Sequence, residues 1–417
     1  MARPLDPAVT RQAAVLAVAC LCVAGGCRRE AVSRQAAPAA APVVRELSTP
    51  AGPGSLAPSL VATEDRRVLL SWVEPMSEGG HALRFAARAK GGPWSEPLTV
   101  AEGAGWFVNW ADFPHLSALA DGTLFAHWLE KRSGGATYDY DVRVSRSHDL
   151  GRSWDAPFTP YRDDTAGEHG FVSFAPLDDT RMGVLFLDGR EAKRKDGAMT
   201  LRFAAVTRDA APEPDARLDE RVCDCCQTAL VRTTRGLVAA YRDRSPSEVR
   251  DVAVVRFEAG RWSAPVSPGA EGWQVHACPV NGPALAAAGD RVALAWFTMA
   301  GETPRVKLAL SDDAGASWGP PRVVDDGRPI GRVDVAFEGK GGAAIVSWLE
   351  ETDAGASIRL RRLDAGGAAS ASVSLAGTST ARSSGFPRIA VADGELVVAW
   401  RDTSDPARLK TALVGLP

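Results

Sequence analysis

Three cysteines lie within four positions of the sequence, Cys223, Cys225 and Cys226, in the stretch RVCDCCQTAL. After Cys27, the chain holds only one further cysteine, Cys278. Thiolates bind soft and borderline metal ions and act as nucleophiles, and paired thiols form disulfides in oxidising compartments. Which of these chemistries applies depends on the compartment of the protein and on the elements that position the sulfur atoms.

The N-terminus predicts export. Arg3 and Arg11 precede the apolar run AAVLAVACLCVAGGC, which has the length of a signal-peptide core and is too short to span a bilayer. Its small residues before Cys27 resemble the lipidation site of bacterial lipoproteins. We therefore expect a signal peptide with a lipobox-like end over residues 1–27, with Cys27 as the lipid anchor. An ordinary secretory signal cleaved nearby is the alternative.

An Ala- and Pro-rich segment without periodicity follows at residues 28–42, and this composition is typical of a flexible tether. The net charge of the whole chain is −3, with both signs interspersed, which argues against nucleic-acid binding. No later run is apolar and long enough to span a bilayer, so the membrane would be reached only through the lipid. Export favours oxidised or metal-bound cysteines over free thiols.

Seven segments of the sequence share one pattern of alternating apolar side chains, a tight polar turn and a final aromatic residue. These aromatic residues, which we call the anchors, are 52 to 58 positions apart: Trp72, Trp128, Phe186, Tyr241, Trp296, Trp348 and Trp400. Two positions after the anchor, six of the seven repeats carry an acid. Each segment is typical of two strands joined by a hairpin. Repeats of this period predict a solenoid or propeller.

A third strand with alternating apolar residues follows each anchor, as in ALRFAAR and DVRVSRS. In most repeats a second tryptophan introduces a fourth strand; these residues are Trp94, Trp154, Trp262 and Trp318. Four strands per repeat predict β-propeller blades. We therefore expect an all-β fold with a single propeller domain over residues 43–417, built from seven blades. Six blades are the alternative if one repeat is an insertion.

The last repeat ends after its third strand. The segment VVRELSTPAG at 43–52 is similar to EPLTVAEGAG in the first repeat, so it can supply the missing fourth strand. Such pairing of the two chain ends closes the ring and removes exposed strand edges.

Two turns carry a family signature. SHDLGRSW at 147–154 and SDDAGASW at 311–318 match the Asp-box, S-x-D-x-G-x-x-W, and the chain resembles the sialidase-like (BNR-repeat) propellers through them. In such a turn the acid accepts backbone N–H bonds, the glycine takes a positive φ and the tryptophan covers the turn. The residues expected to have these structural roles are Ser147, Asp149, Gly151, Trp154, Ser311, Asp313, Gly315 and Trp318.

The resemblance also implies which face holds a ligand. In this family the first strand of each blade runs away from the ligand face, so the Asp-box turns lie on the opposite face. Cys223 and Cys278, each 18 residues before its anchor, then take equivalent positions on the ligand face of the fourth and fifth repeats. His169 and His276 are expected nearby.

Three uses of the cysteines stay open. A Cys223–Cys278 disulfide would join neighbouring blades, although it leaves Cys225 and Cys226 adjacent. A Zn or Cu site would use all four cysteines, with His169 and His276 as additional candidate ligands. A nucleophilic or redox role is the third alternative.

The family resemblance suggests a competing enzyme function. An exo-α-sialidase-like glycoside hydrolase needs an arginine cluster for a sugar carboxylate and a Tyr–Glu nucleophile pair. The segment GFPRIAV is similar to an arginine motif of that family. The candidates for such a site are Arg242, Asp243, Arg332, Asp334 and Arg388. The first repeat, APSLVA, lacks the corresponding arginine.

From the sequence we therefore expect an exported, lipid-anchored, monomeric propeller at a bacterial membrane, periplasmic or on the cell surface. Its channel mouth would bind a glycan, a small molecule, a protein or a metal ion. Fold alone carries little functional weight.

Overall fold

The structure is a computed structural model that describes residues 43–339 and 341–415. The predicted signal peptide, Cys27 and the tether at 28–42 lie outside the described residues. Within the described ranges, no helix is both long and apolar enough to cross a membrane.

Twenty-seven strands form seven antiparallel sheets, one per repeat, and these sheets are the blades of a propeller. Blades 1 and 2 contain β2 (Leu56–Ala62), β3 (Val68–Pro75), β4 (His81–Arg88), β5 (Leu98–Gly103), β6 (Leu116–Ala118), β7 (Leu124–Lys131) and β8 (Tyr140–Ser147). Blades 3 and 4 contain β9 (His169–Pro176), β10 (Arg181–Asp188), β11 (Thr200–Thr207), β12 (Ala216–Asp219), β13 (Ala229–Thr233), β14 (Gly236–Arg242), β15 (Val252–Glu258) and β16 (Arg261–Trp262).

Blades 5 and 6 contain β17 (Ala284–Ala288), β18 (Arg291–Thr298), β19 (Arg305–Ser311), β20 (Arg322–Val323), β21 (Pro329–Phe337), β22 (Ala344–Thr352), β23 (Gly355–Leu363) and β24 (Val373–Thr378). Blade 7 contains β25 (Arg388–Ala392), β26 (Glu395–Asp402), β27 (Arg408–Gly415) and β1 (Val43–Leu47). Two single-turn 3-10 helices, Ala300–Glu302 and Arg382–Ser384, lie in connecting loops.

The first strands of the blades surround the central axis. Each contacts the first strand of the next blade, and β2 of blade 1 contacts β25 of blade 7. The ring is therefore closed by seven blades, which confirms the predicted number and excludes six.

The two chain ends pair as predicted. Strand β1 runs antiparallel to β27, with Val43 opposite Gly415 and Leu47 opposite Thr411. The N-terminal strand thus completes the last blade and covers the edge that β27 would otherwise expose.

Blade 2 departs from the four-stranded pattern. Its sheet has three strands, and the segment SWDAPFTP meets β8 only at an isolated bridge between Val144 and Phe158. Pro157 and Pro160 flank that bridge, and a proline donates no hydrogen bond to a ladder. The fourth strand of blade 2 is thus reduced to this bridge, in which Val144 and Phe158 exchange two backbone hydrogen bonds of 2.7 and 2.9 Å.

The anchors form the core between blades. All seven are buried, with Trp72, Phe186, Tyr241 and Trp348 fully so. Truncating a buried tryptophan to alanine typically costs about 3–5 kcal/mol. In two blades the acid two positions after the anchor accepts a hydrogen bond from it. The indole N–H of Trp72 donates to Glu74 at 2.9 Å, and that of Trp348 donates to Glu350 at 2.6 Å.

Two opposite faces follow from this topology. We call the mouth face the one where the first strands begin, which also holds the loops between second and third strands; the other is the Asp-box face. Several first strands bulge near the mouth face, with positive φ of 56°, 53° and 55° at Ala57, Phe171 and Arg332. Such bulges redirect the side chains that follow.

Candidate functional site

The cysteine segment lies on the mouth face, directly before β13 of blade 4. The backbone N–H of Cys223 donates to the carbonyl of Arg242 at 2.9 Å, and Val222 forms a bridge with Asp243. These bonds attach the segment to the end of β14. The adjacent sulfurs are thereby held against the blade.

The three clustered sulfurs converge. The Sγ of Cys223 is 3.0 Å from that of Cys226 and 3.8 Å from that of Cys225. All three Sγ atoms lie within 4.8 Å of one another. Cys278, in the loop before β17, is exposed and lies outside this group.

All four described cysteines are free thiols in the structure. The shortest S–S distance, 3.0 Å between Cys223 and Cys226, exceeds a disulfide bond of about 2.05 Å. The closest sulfur to Cys223 is therefore that of Cys226 and not that of Cys278. The Cys223–Cys278 disulfide stays a prediction.

Cys223 is the sulfur with the most stabilised thiolate. Hydrogen bonds from the thiols of Cys225 and Cys226 lower the pKa of Cys223 far below its usual value, and the charge of Arg242 adds to this effect. Arg250 also places its Nη1 3.4 Å from the sulfur of Cys223. The shared hydrogen bonds raise the pKa of Cys225, and burial raises that of Cys226. Of the three clustered sulfurs, Cys223 is therefore the one whose thiolate form is most favoured.

A chain of ion pairs positions Arg250. The carboxylate of Glu248 forms ion pairs with Nη2 of Arg250 and with Nη2 of Arg244, both at 2.8 Å. Arg244 Nη1 forms a further ion pair with Asp224 at 3.0 Å. Asp224 is therefore engaged by an arginine rather than directed at the sulfurs. Pairing of this kind restricts the side chain of Arg250 to the neighbourhood of Cys223.

The two histidines do not join the sulfur group. His169 is fully buried, with Nδ1 3.2 Å from the carbonyl oxygens of Tyr140 and Gly167, and its ring stacks on Tyr161. His276 is exposed in the loop before β17. Among the described residues, the donor atoms that could share one ion are the sulfurs of Cys223, Cys225 and Cys226.

This donor set fits a soft metal ion. Thiolates favour Cu(I) and Zn(II), whereas Mg(II) and Ca(II) require oxygen ligands. Two of the sulfurs are buried, which protects a bound ion from water, and two guanidinium groups offset thiolate charge.

The candidate arginines do not converge on one point. Arg242 donates to the carbonyls of Asn281, Phe297 and Arg250 at 2.6–3.0 Å. Arg332 donates to carbonyls of the loop around residues 380–385 and lies over the ring of Trp110. Their donors hold loops together, so they are not free to bind a sugar carboxylate.

The other candidate catalytic residues also have structural partners. Asp334 accepts the backbone N–H of Ile389 at 2.9 Å and lies 3.4 Å from Arg388 Nε, which links blades 6 and 7. Asp243 accepts from the backbone of Arg244 at 2.7 Å, and burial raises the pKa of Asp243 to about 6.

One group of polar residues was not predicted. The phenol of Tyr140 lies 3.0 Å from Glu168 Oε1 and 3.2 Å from Asp112 Oδ2, and Asp112 also accepts the N–H of Phe171 at 2.8 Å. Burial raises the pKa of Asp112 to about 8 and that of Glu168 to about 7. Both acids precede a first strand, as the cysteines do, so a search of that position in every repeat would have found them.

Side chains close the channel at the mouth face. Gln227 of blade 4 donates to the carbonyl of Ala111 in blade 2 at 2.7 Å and accepts from Gly282 of blade 5 at 2.9 Å. Trp110 stacks on Phe386 in the same layer. Below this layer lies a cavity of about 190 Å³ lined by residues that include His115, Asp334 and Arg388.

An open pocket lies beside the cysteine segment rather than on the axis. Its volume is about 610 Å³, and its lining includes Tyr138, Glu168, Lys193, Asp224 and Arg244. Asp224 therefore lines this pocket, whereas Cys223 and Cys225, which flank it in the sequence, do not.

The two signature turns lie on the Asp-box face. Asp149 Oδ1 accepts from the backbone of Ser153 at 2.9 Å, and the Ser147 hydroxyl accepts from Gly151 at 2.8 Å. The turn of Asp313 repeats this arrangement. Hydrogen bonds from Ser153 and Ser317 hydroxyls lower the pKa of each aspartate to about 2. Both acids are engaged within their turns.

Similar folds occur among solved structures. An α-L-arabinanase of Penicillium chrysogenum is 14% identical over 91% of this chain and 99% of its own, with a TM-score of 0.46. The Hadza microbial sialidase Hz136 is 16% identical over 80% of this chain and 73% of its own, with a TM-score of 0.47. A sialidase of Trypanosoma rangeli is 12% identical over 87% and 60%, with a TM-score of 0.46. At these values the likeness concerns the propeller fold alone.

No protein-family model matches the sequence, and no curated protein matches it.

Proposed function

We propose that this protein is an exported β-propeller, anchored to a bacterial membrane by a lipid on Cys27, that binds a thiophilic metal ion at its mouth face. The observation that carries the metal-binding proposal is the convergence of the Cys223, Cys225 and Cys226 sulfurs within 4.8 Å of one another. Three cysteines in contact, two of them buried, leave few alternatives to a disulfide or a metal ion in an exported protein.

Two features favour the metal ion over a disulfide. A Cys223–Cys226 disulfide would leave Cys225 without a covalent partner, whereas an ion can use all three sulfurs. Arg250 and Arg242 lie beside Cys223 and Cys226, where they stabilise thiolates. A neutral disulfide would gain little from these charges.

Metal titration of the reduced, metal-free protein tests the proposal. We expect one Zn(II) or Cu(I) ion per chain, with ultraviolet thiolate-to-metal absorption. C226S should weaken binding by more than about 100-fold, because one of the three metal ligands is lost. S133A, which removes an exposed hydroxyl in the loop after β7, serves as the control. If protein isolated from the periplasm held no metal ion and its four cysteines were oxidised, the proposal would be wrong.

The lipid anchor has its own test. Cells that express the full chain with radioactive palmitate should label it, and C27S should abolish the label and release the protein from membranes. C22S, a change in the same apolar run, is the matched control and should leave the label in place. Labelling of C27S would contradict the anchor.

A glycoside hydrolase of exo-sialidase type is the second candidate. The Tyr140–Glu168 pair at 3.0 Å, with Asp112 beside it, favours this function because a Tyr–Glu nucleophile and an acid are its requirements. Tyr140 is fully buried, however, and Arg242 and Arg332 are engaged by carbonyls. We expect no hydrolysis of a fluorogenic sialoside. Hydrolysis by the wild type that E168Q abolishes would favour the glycoside hydrolase over the metal-binding protein.

A further inference from the structure

The four cysteines of the mouth face differ in burial in a graded way. Cys223 and Cys226 expose 1% and 2% of their surface, Cys225 is half-buried, and Cys278 is exposed. The Sγ of Cys225 lies 3.8 Å from that of Cys223, and Cys278 lies on the same face, in the loop before β17. The four sulfurs thus range from an exposed thiol at the rim to the buried end of the cluster.

The number of converging donors distinguishes between metals. A structural Zn(II) site takes four ligands in a tetrahedron. Here the group within 4.8 Å contains three sulfurs, with neither an imidazole nor a carboxylate among the described residues, and Cys278 lies outside it. Cu(I) is a soft d¹⁰ ion that three thiolates saturate in a trigonal arrangement.

The local charges are compatible with this choice. Three thiolates and Cu(I) leave a net charge of −2, and Arg250 and Arg242 supply two positive charges beside the buried sulfurs. Four thiolates around Zn(II) would leave the same charge. The coordination number favours Cu(I), because three sulfurs complete its coordination, whereas Zn(II) would need a water molecule as its fourth ligand.

Resting on the proposed metal-binding function, we propose that the bound ion is Cu(I), held by Cys223, Cys225 and Cys226, and that it enters through Cys278. Cys278 is the most exposed of the four sulfurs, so a Cu(I) donor in solution reaches it most readily. Its neighbour Cys225 belongs both to this rim and to the three-sulfur group.

The transfer is a ligand exchange without redox change. The Cys278 sulfur bonds to a Cu(I) ion carried by a thiol donor, and the Cys278 thiol loses its proton. The donor thiolate takes up that proton as its own bond to the ion breaks. The ion then passes to Cys225, Cys223 and Cys226, whose thiols lose their protons as they bind it. One of these protons returns to the released Cys278 sulfur, and the remainder pass to solvent. Copper remains Cu(I) throughout.

Equilibrium measurements test the identity of the site. The reduced full chain is titrated anaerobically with Cu(I) against a chromophoric Cu(I) chelator, and separately with Zn(II). We expect C278S to keep its Cu(I) affinity within about threefold, and C225S to lose more than about 100-fold. X-ray absorption of the wild-type Cu(I) protein should count three sulfur ligands, which does not depend on how the variants fold.

Kinetic measurements test the entry role. On mixing with Cu(I)–glutathione, C278S should load roughly tenfold more slowly than the wild type, at unchanged affinity. Equal loading rates would overturn the role of Cys278. Four sulfur ligands, or tighter binding of Zn(II) that C278S and C225S weaken equally, would overturn the Cu(I) assignment while leaving metal binding intact. Failure to bind either ion would overturn the proposed function itself.

Discussion

Asp112 makes the stability of the protein depend on pH. Burial raises the pKa of Asp112 to about 8 from 3.8, so between these values the native state holds a proton that the unfolded chain releases. The free energy of unfolding therefore falls as pH rises through this window. D112N keeps a neutral side chain that can still accept the N–H of Phe171.

We expect D112N to flatten this pH dependence and to be about 1–3 kcal/mol more stable than the wild type near pH 8. Urea unfolding at about pH 5 and about pH 8 measures the effect. D178N, at a half-buried turn aspartate whose pKa is lowered and which therefore stays charged at both pH values, is the control. A slope with pH that D112N leaves unchanged would contradict the protonation of Asp112.

Arg250 is expected to tune the thiol chemistry of Cys223. Removing a guanidinium that lies 3.4 Å from the sulfur should raise the pKa of Cys223, so R250Q should shift the thiolate absorbance to higher pH. Ultraviolet titration of the reduced, metal-free protein measures the shift. R256Q, whose arginine contacts Ala314 and Glu258 instead, should behave as the wild type. Equal titration of R250Q and wild type would show that Arg250 has no such role.

At the scale of the element, the hairpins between third and fourth strands depend on their glycines. Gly151 has a φ of 87°, and a Cβ there would lie 2.2 Å from Phe85 of blade 1. Gly260, in the equivalent hairpin of blade 4, has a φ of 77° with open space around it. A comparison of alanine substitutions at Gly151 and Gly260 therefore distinguishes the cost of backbone strain from the cost of a steric clash between blades.

G260A should cost about 1 kcal/mol through its positive φ alone. G151A should cost a further 1–3 kcal/mol, roughly, because the new Cβ displaces Phe85 and disturbs the contact with Trp154. Denaturant unfolding of the two variants provides the comparison. Equal losses would mean that the hairpin of Gly151 does not pack against blade 1 in this way.

At the scale of the whole molecule, one strand closes the ring. Deletion of residues 43–47 would remove β1 and leave β27 as an exposed edge in blade 7. We expect a fall in Tm of at least about 5 °C and a tendency to aggregate, because an unpaired edge pairs with other chains.

Calorimetry and light scattering measure this outcome. Deletion of residues 28–42, which leaves β1 in place, is the control and should not change Tm. If both deletions left Tm and solubility unchanged, β1 would not be needed for closure.

The sequence by itself determined the architecture. Seven anchors at a nearly constant period predicted seven blades, and the similarity of 43–52 to a fourth strand predicted the closure, because both depend on local alternation and burial. The sequence also located Cys223, Cys225, Cys226 and Cys278 on one face, since their distances from the anchors follow from that period. It did not predict that the fourth strand of blade 2 is reduced to a single bridge.

The tertiary structure alone decided which side chains meet. Bulges with positive φ at the starts of first strands, as at Phe171 and Arg332, redirect side chains by amounts that no period encodes. Arg332 therefore reaches carbonyls rather than a ligand, and His169 is enclosed beneath Tyr161 instead of joining the sulfurs. Contacts across the ring depend on the positions of distant blades, so only the folded chain separates three converging sulfurs from a fourth at the rim.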